Sequence, residues 1–248
     1  MTEPTRSVLL ALNRDFYERQ AESFAATRDH AWPGWKRVLE IVPANGVLLD
    51  AGCGNGRFAL FLAEAGRGDV DYTGVDKSHG LLDAARERTS HLLGAGSRRF
   101  VEGDLFEPSS LPTGPFDTII LFGVLHHVPG FDERAALVAQ LSEALRPEGH
   151  LAVTIWRFGS DPRVVGRTVP WDRAGLEIDP ATLEPGDHLL RWGDSDDVVR
   201  YCHFVDDAEV DRLLERTRSA GLRVVDRFRS DGRSGELNEY VVWSRRAE

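Results

Sequence analysis

The sequence predicts an α/β protein built on a doubly wound, mostly parallel sheet. Two observations carry that expectation. From residue 45 to 156, short apolar runs alternate with runs of helical period, the pattern of consecutive βαβ units. The first such junction is "LLDAGCGNGRF" (48–58), where three glycines stand between a buried strand and a helix. Glycines there let backbone approach a ligand closely, and the following helix N-terminus offers unpaired N–H groups.

Element by element, "SVLLALNRDFYERQAESFAATR" (7–28) reads as an amphipathic helix leading into a Trp-rich turn, "HAWPGW". "GVLLD" is the first strand, and "RFALFLAEAG" a helix with Phe58, Leu60, Leu62 and Ala63 at packing positions. "DYTGVD" (71–76) is a strand, "HGLLDAARERTSHL" (79–92) a helix and "RRFVEGD" (98–104) a strand. "FDTIILFG" (116–123) follows as a buried strand, then a helix over 132–149 ending at Pro147 and Gly149, then the strand "HLAVTIW" (150–156). Residues 157–205 are rich in Pro, Gly, Trp and Asp with weak periodicity. A helix over 206–221 and strand-like runs at 222–228 and 236–244 close the chain. The expected organisation is one domain: a helical cap (1–44), a ligand-binding core (45–156), a covering insertion (157–205), and a last helix with two strands (206–248).

Composition narrows the class. A chain of 248 residues that is 42% hydrophobic and 28% charged fits one large soluble α/β domain. No apolar run approaches the ~20 residues of a membrane span, and no secretory leader is evident, so a cytoplasmic protein is expected. Cys53 and Cys202 are the only cysteines, which suggests neither a disulfide framework nor a cysteine-rich zinc site, and no metal site is expected. The net charge of −10 disfavours broad non-specific binding to nucleic acid. Of the 30 basic residues only Lys36 and Lys77 are lysines, so the positive charge is almost all guanidinium.

The glycine spacing limits the ligand. Gly52, Gly54 and Gly56 form G-x-G-x-G, with Arg57 where a dinucleotide fingerprint carries its third glycine or alanine. Asp50 ends the first strand, and Asp76 ends the second about 20 residues after the turn, where a carboxylate accepts from both hydroxyls of a ribose. Asp104 ends the third, placed to accept from an adenine amine. Three strand-end carboxylates make a poor phosphate site and suit a nucleoside carrying positive charge.

That combination resembles the class I S-adenosylmethionine-dependent methyltransferases. "LLDAGCGNGRF" is similar to their first motif, "TGVDKS" to the acidic ribose loop, "EGDLF" to the adenine-side segment, and "FDTIILFGVLHHV" to the fourth motif. The resemblance implies a Rossmann-like, seven-stranded sheet with a C-terminal antiparallel hairpin, and S-adenosyl-L-methionine as cofactor. It implies that Gly52, Gly54 and Gly56 shape the cofactor loop, Asp76 holds the ribose, Asp104 with Leu105 flanks the adenine, and Asp50 meets the amino group. The fourth motif lacks the D/N-P-P-aromatic pattern of enzymes that methylate base amines. Its His126 and His127 are common in oxygen- and carboxylate-methylating relatives; the other reading is packing residues at a helix end.

The flanks resemble the methyltransferases that esterify 5-carboxymethyluridine at the tRNA wobble position. Phe24, Thr27, Arg28, Trp32 and Pro33 match their N-terminal pattern, and Arg200, Tyr201, His203, Phe204 and Glu209 a segment before the last helix. Cys202 and Val210 depart from it. By this resemblance Arg28 contacts the cofactor carboxylate or the acceptor, and the partners are tRNA and a small zinc-binding activator subunit. A carboxylate acceptor needs a cation to orient it. Arg200 and Arg191 are the candidates, with Tyr201 and His203 shaping the pocket. Alternative functions are a small-molecule O- or carboxyl-methyltransferase, and a non-catalytic cofactor-binding regulatory subunit.

Overall fold

A computed structural model describes residues 1–92, 94–193 and 197–246; residues 194–196 of the expected insertion and 247–248 of the last segment lie outside the described residues. The main sheet has seven strands in the order β3-β2-β1-β4-β5-β10-β9. These are β1 (Val47–Ala51), β2 (Asp71–Asp76), β3 (Arg98–Glu102), β4 (Phe116–Leu121), β5 (Leu145–Trp156), β9 (Leu222–Ser230) and β10 (Asn238–Arg245). The first five pair in parallel, while β10 is antiparallel to both β5 and β9. The expected mostly parallel sheet with its antiparallel C-terminal pair is the observed architecture.

Strand periodicity explains the layering. Leu48 and Leu49, Ile119 and Ile120, Leu151 and Ala152, Val241 and Val242 split pairwise between two cores, one on each face of the sheet. One core takes residues of α5 (Phe131–Glu143) and α7 (Asp207–Ser219). The other takes α2 (Trp35–Val38) and α3 (Arg57–Glu64). In α3, Phe58 and Leu62 are buried as the spacing predicted, and Phe61 joins them. Helix α4 (His79–Thr89) opens on Ser78, whose hydroxyl accepts from the Leu81 N–H.

The largest boundary difference from expectation is at the end of α5. Helix α5 stops at Glu143, not 149, and "LRPEG" enters β5. Pro147 cannot donate within a helix, and it disfavours helical geometry at Arg146. The segment instead becomes an irregular strand start: Phe116 pairs with Leu145, but Thr118 pairs with His150.

The insertion after β5 carries α6 (Pro162–Val165) and a second, antiparallel sheet, β6 (Thr168–Val169), β7 (Asp187–Arg191) and β8 (Val199–His203). Helix α1 (Glu3–Ala26) lies against it. Thr5, Leu9, Asn13 and Phe16 form its buried stripe at helical spacing, with Leu9 packed on Val169, Leu189 and Tyr201. Among the described residues no helix is long and apolar enough to cross a membrane. The consequence for function is one cavity, of about 1010 Å³, roofed by α1 and the second sheet over the carboxyl ends of β1, β2 and β4.

Candidate active site

At one end of the cavity stands the glycine turn. Gly52 has φ +81°, and a Cβ there would lie 2.3 Å from Val124 Cγ2, so no other residue fits. Gly54 has φ +53° with nothing within 4 Å of where its Cβ would be; backbone is thereby exposed to the cavity. Its N–H donates to Asp76 Oδ2 (2.8 Å), and the Ser78 N–H donates to Asp76 Oδ1 (2.9 Å). Each Asp76 oxygen keeps further acceptor capacity. Burial raises the Asp76 pKa, with these backbone donors pulling it back. Gly56, absent from the cavity wall, caps α3 and packs against Ala85.

Asp50 accepts from the Tyr72 hydroxyl at 2.5 Å. Burial pushes its pKa up to about 7, with the Tyr72 bond opposing and the nearby Asp76 adding. Asp104 pairs with Lys77, and its Oδ1 accepts from the Phe106 N–H (3.0 Å). Asp50, Asp76, Asp104 and Leu105 all line the cavity, alongside Phe106 and Phe122. The donor set fits an adenosyl sulfonium cofactor: acceptors for ribose, amino and amine hydrogens, and apolar walls for a base.

The other end is built around Arg200. Its guanidinium carbon lies 5.5 Å from the Phe16 ring, 5.5 Å from Trp156 and 5.4 Å from Trp192. It is 7% exposed, its buried Nε has no hydrogen-bond partner, and no carboxylate pairs with it among the described residues. Nη1 donates to the Tyr17 hydroxyl at 3.4 Å. Arg28 and Arg191 also line this cavity. Burial, and then repulsion from Arg200, lowers the Arg28 pKa, so this end is strongly electropositive.

The two histidines differ. His127 Nδ1 is 2.9 Å from the Tyr201 carbonyl, which requires a proton on Nδ1; Nε2 then accepts from the Tyr17 hydroxyl at 2.8 Å. Burial, followed by the Arg200 charge, depresses its pKa to about 3. His126 faces Trp156 and carries a buried, unpartnered Nδ1, and burial lowers its basicity well below the ordinary value.

Tyr201 and His203 do not line the cavity, which corrects their expected role in shaping it. Alternation along β8 turns them to the face opposite Arg200. Tyr201 donates to Asp187 (2.6 Å), and His203 bridges Asp187 (2.7 Å) and Glu209 (2.8 Å). Arg134, 1% exposed, completes that network through Glu209 and Glu184. Glu184, Asp187 and His203, and separately His126, His127 and Cys202, sit close enough to share a metal ion. The first set already surrounds a guanidinium, and both His127 nitrogens are engaged. Tyr17, Phe16, Trp156, Trp192 and Lys77 were not singled out from sequence. The only sequence signal was the aromatic spacing of "FYERQAESF".

Comparison with known proteins agrees with this geometry. A family described as a methyltransferase domain matches residues 48–149. A protein of Encephalitozoon cuniculi (strain GB-M1), named as a methyltransferase with no acceptor specified, is 28% identical over 212 residues, 85% of this chain and 87% of its own. The tRNA (carboxymethyluridine(34)-5-O)-methyltransferase of Macaca fascicularis is 30% identical over 140 residues. The match takes in 56% of this chain but only 19% of that protein's length. The solved structure of 1,6-didemethyltoxoflavin-N1-methyltransferase from Burkholderia thailandensis has the same fold, with TM-score 0.65 and 18% identity over 100% of this chain and 92% of its own. Sheet, glycine turn and strand-end carboxylates together define a class I S-adenosylmethionine-dependent methyltransferase. This chain is such an enzyme, and S-adenosyl-L-methionine is its cofactor.

Proposed function

We propose that this enzyme methylates a carboxylate on a modified tRNA uridine, forming a methyl ester. The observation that carries the reading is Arg200: a buried cation, ringed by aromatics and without a carboxylate partner among the described residues, in the wall of the same cavity as the cofactor residues. A guanidinium in that state is short of an anion, and a forked carboxylate contact supplies one. Trp156 and Trp192 line the cavity and offer faces on which a base can stack. The similarity to the macaque tRNA enzyme supports a nucleoside acceptor.

When bound, the cofactor supplies an electrophilic methyl group on a positively charged sulfur. The chain's residues would hold it through Asp50, Asp76, Asp104 and the Gly52–Gly56 turn, and align the acceptor through Arg200 and Arg28. A carboxylate with pKa near ~4 is already ionised at pH 7, so its attack releases no proton and requires no base. That agrees with two histidines whose basicity the site suppresses. A free small carboxylic acid is the second reading, favoured by the net charge of −10.

The resemblance also implies an activator subunit covering a sheet edge. β3 is such an edge, with Val101 and nearby Phe106 exposed. Full activity of the isolated chain would show that none is needed. The test of the acceptor is a comparison of variants with unfractionated tRNA carrying 5-carboxymethyluridine. Arg200→Ala is expected to cut turnover at least ~100-fold, His126→Ala to change it little, and the rate to stay flat above pH 6. A damaging His126→Ala with an indifferent Arg200→Ala, and a rate that climbs with pH, would point to a hydroxyl acceptor.

A further inference from the structure

Helix α1 does more than roof the cavity. Asn13 reads the backbone of β8 as a neighbouring strand would: its Oδ1 accepts from the Tyr201 N–H (2.8 Å) and its Nδ2 donates to the Tyr201 carbonyl (3.1 Å). One turn on, Tyr17 stands between two groups of the acceptor end. Its hydroxyl donates to His127 Nε2 and accepts from Arg200 Nη1. Both directions are fixed. His127 Nδ1 spends its proton on the Tyr201 carbonyl, leaving Nε2 only a lone pair, and Arg200 has only N–H groups to offer. The Tyr17 ring is held edge-on by Phe16 (5.0 Å), Phe24 (5.1 Å) and His127 (5.4 Å). The hydroxyl therefore has one position.

Arg200 is otherwise bounded by ring faces, which attract its charge but set no direction for its N–H groups. Carboxylate recognition needs that direction. We propose that Tyr17 is a positioning residue: it turns the Arg200 guanidinium so that the remaining donors face the acceptor, with His127 serving as the anchor for Tyr17 and not as a base. This inference rests on the carboxylate reading above. It also gives the buried His127 a task that needs no protonation change, consistent with its position behind Tyr17.

The test is a double-mutant cycle, assayed on unfractionated tRNA carrying 5-carboxymethyluridine. Tyr17→Phe keeps the ring and its packing and removes only the hydroxyl. It is expected to lower kcat between about 10- and 100-fold, the effect of a misaligned reactant, while S-adenosylhomocysteine affinity by calorimetry stays within about twofold of wild type. In an Arg200→Lys background, where the fork to be turned is gone, the same substitution is expected to cost less than about twofold. The pH–rate profile stays flat in both proteins, because the phenol moves no proton. Wild-type turnover in Tyr17→Phe overturns the proposal, as does an equal loss in both backgrounds or a rate that rises with pH only when the phenol is present. If Arg200→Ala and Arg200→Lys are themselves indifferent, the carboxylate reading falls, and this inference with it. If they are damaging and Tyr17→Phe is silent, only this inference falls.

Discussion

At the scale of single residues, the cofactor end is held by carboxylates whose surroundings differ, and two predictions separate them. Asp76 is fed by two backbone N–H groups and faces the cavity. Asp76→Ala should weaken S-adenosylhomocysteine binding by about 2–3 kcal/mol, the loss of hydrogen bonds to a charged group, read by calorimetry on folded protein. An unchanged affinity would misplace the ribose. Asp50 is buried beneath, with a folded pKa of about 7 against an ordinary 3.8. A carboxyl raised on folding favours the folded state when protonated. Its contribution is therefore fully present below pH 3.8 and lost as pH rises through about 7. Cofactor-free protein should lose about 2–4 kcal/mol across that window, and Asp50→Asn should flatten the loss in denaturant titrations at pH 5 and 8. These carboxylates were legible in the sequence because Asp50 ends the strand before the glycine turn and Asp76 ends the next strand. Tyr17 was not, because it meets Arg200 across 183 positions of chain.

Elements explain the roles that sequence pattern misassigned. Tyr201 and His203 share a short motif with Arg200, and a motif does not say which way a strand's side chains point. The answer depends on a second sheet whose strands are short and whose connecting sequence has little periodicity. In the structure that sheet is locked to α5 and α7 by Arg134, Glu184, Asp187, His203 and Glu209. Burial opposes ionisation of Asp187 and Glu209, but His203 together with the Tyr201 hydroxyl and the Glu184 N–H at Asp187, and with Arg134 at Glu209, outweighs it and holds both pKa values below the ordinary range. Their contribution to stability is present above pH 4–5 and lost as pH falls through those lowered values. Arg134→Met should cost about 3–5 kcal/mol, because it takes from Glu209 and Glu184 the buried guanidinium they share; urea unfolding at pH 7 checks this. A cost near zero would mean that water reaches the network. The α5 boundary was misjudged for a related reason. Apolar residues run on past Glu143, but Pro147 bars the helix, and Leu145 pairs with Phe116 of β4 instead.

For the whole molecule, one cavity brings together acids at the strand ends and arginines under α1 and the second sheet. The proposed anionic acceptor would be drawn to those arginines, and the positively charged cofactor to the acids. Saturating S-adenosylhomocysteine, at 100 times its dissociation constant, should stabilise the fold by about 2.7 kcal/mol. That is a rise in Tm of roughly 5–10 °C for a domain of this size, and NAD should produce none. The parallel, doubly wound part of the sheet was readable from alternation, whereas its seven strands and antiparallel C-terminal pair were implied by the family resemblance. Around Arg200 the aromatic walls were not readable, because they come from three separate parts of the chain: α1, the end of β5 and Trp192.

The central claim is that the methyl group goes to a carboxylate oxygen of a tRNA nucleoside. The direct measurement is transfer of tritiated methyl from S-adenosylmethionine into tRNA carrying 5-carboxymethyluridine, followed by mild alkali. A methyl ester is cleaved and its label leaves as volatile methanol, whereas methyl on nitrogen, carbon or a ribose hydroxyl stays. The account predicts label in tRNA that alkali releases, and its loss in Arg200→Ala. Label that survives alkali, or that appears only in a small-metabolite fraction, would contradict it.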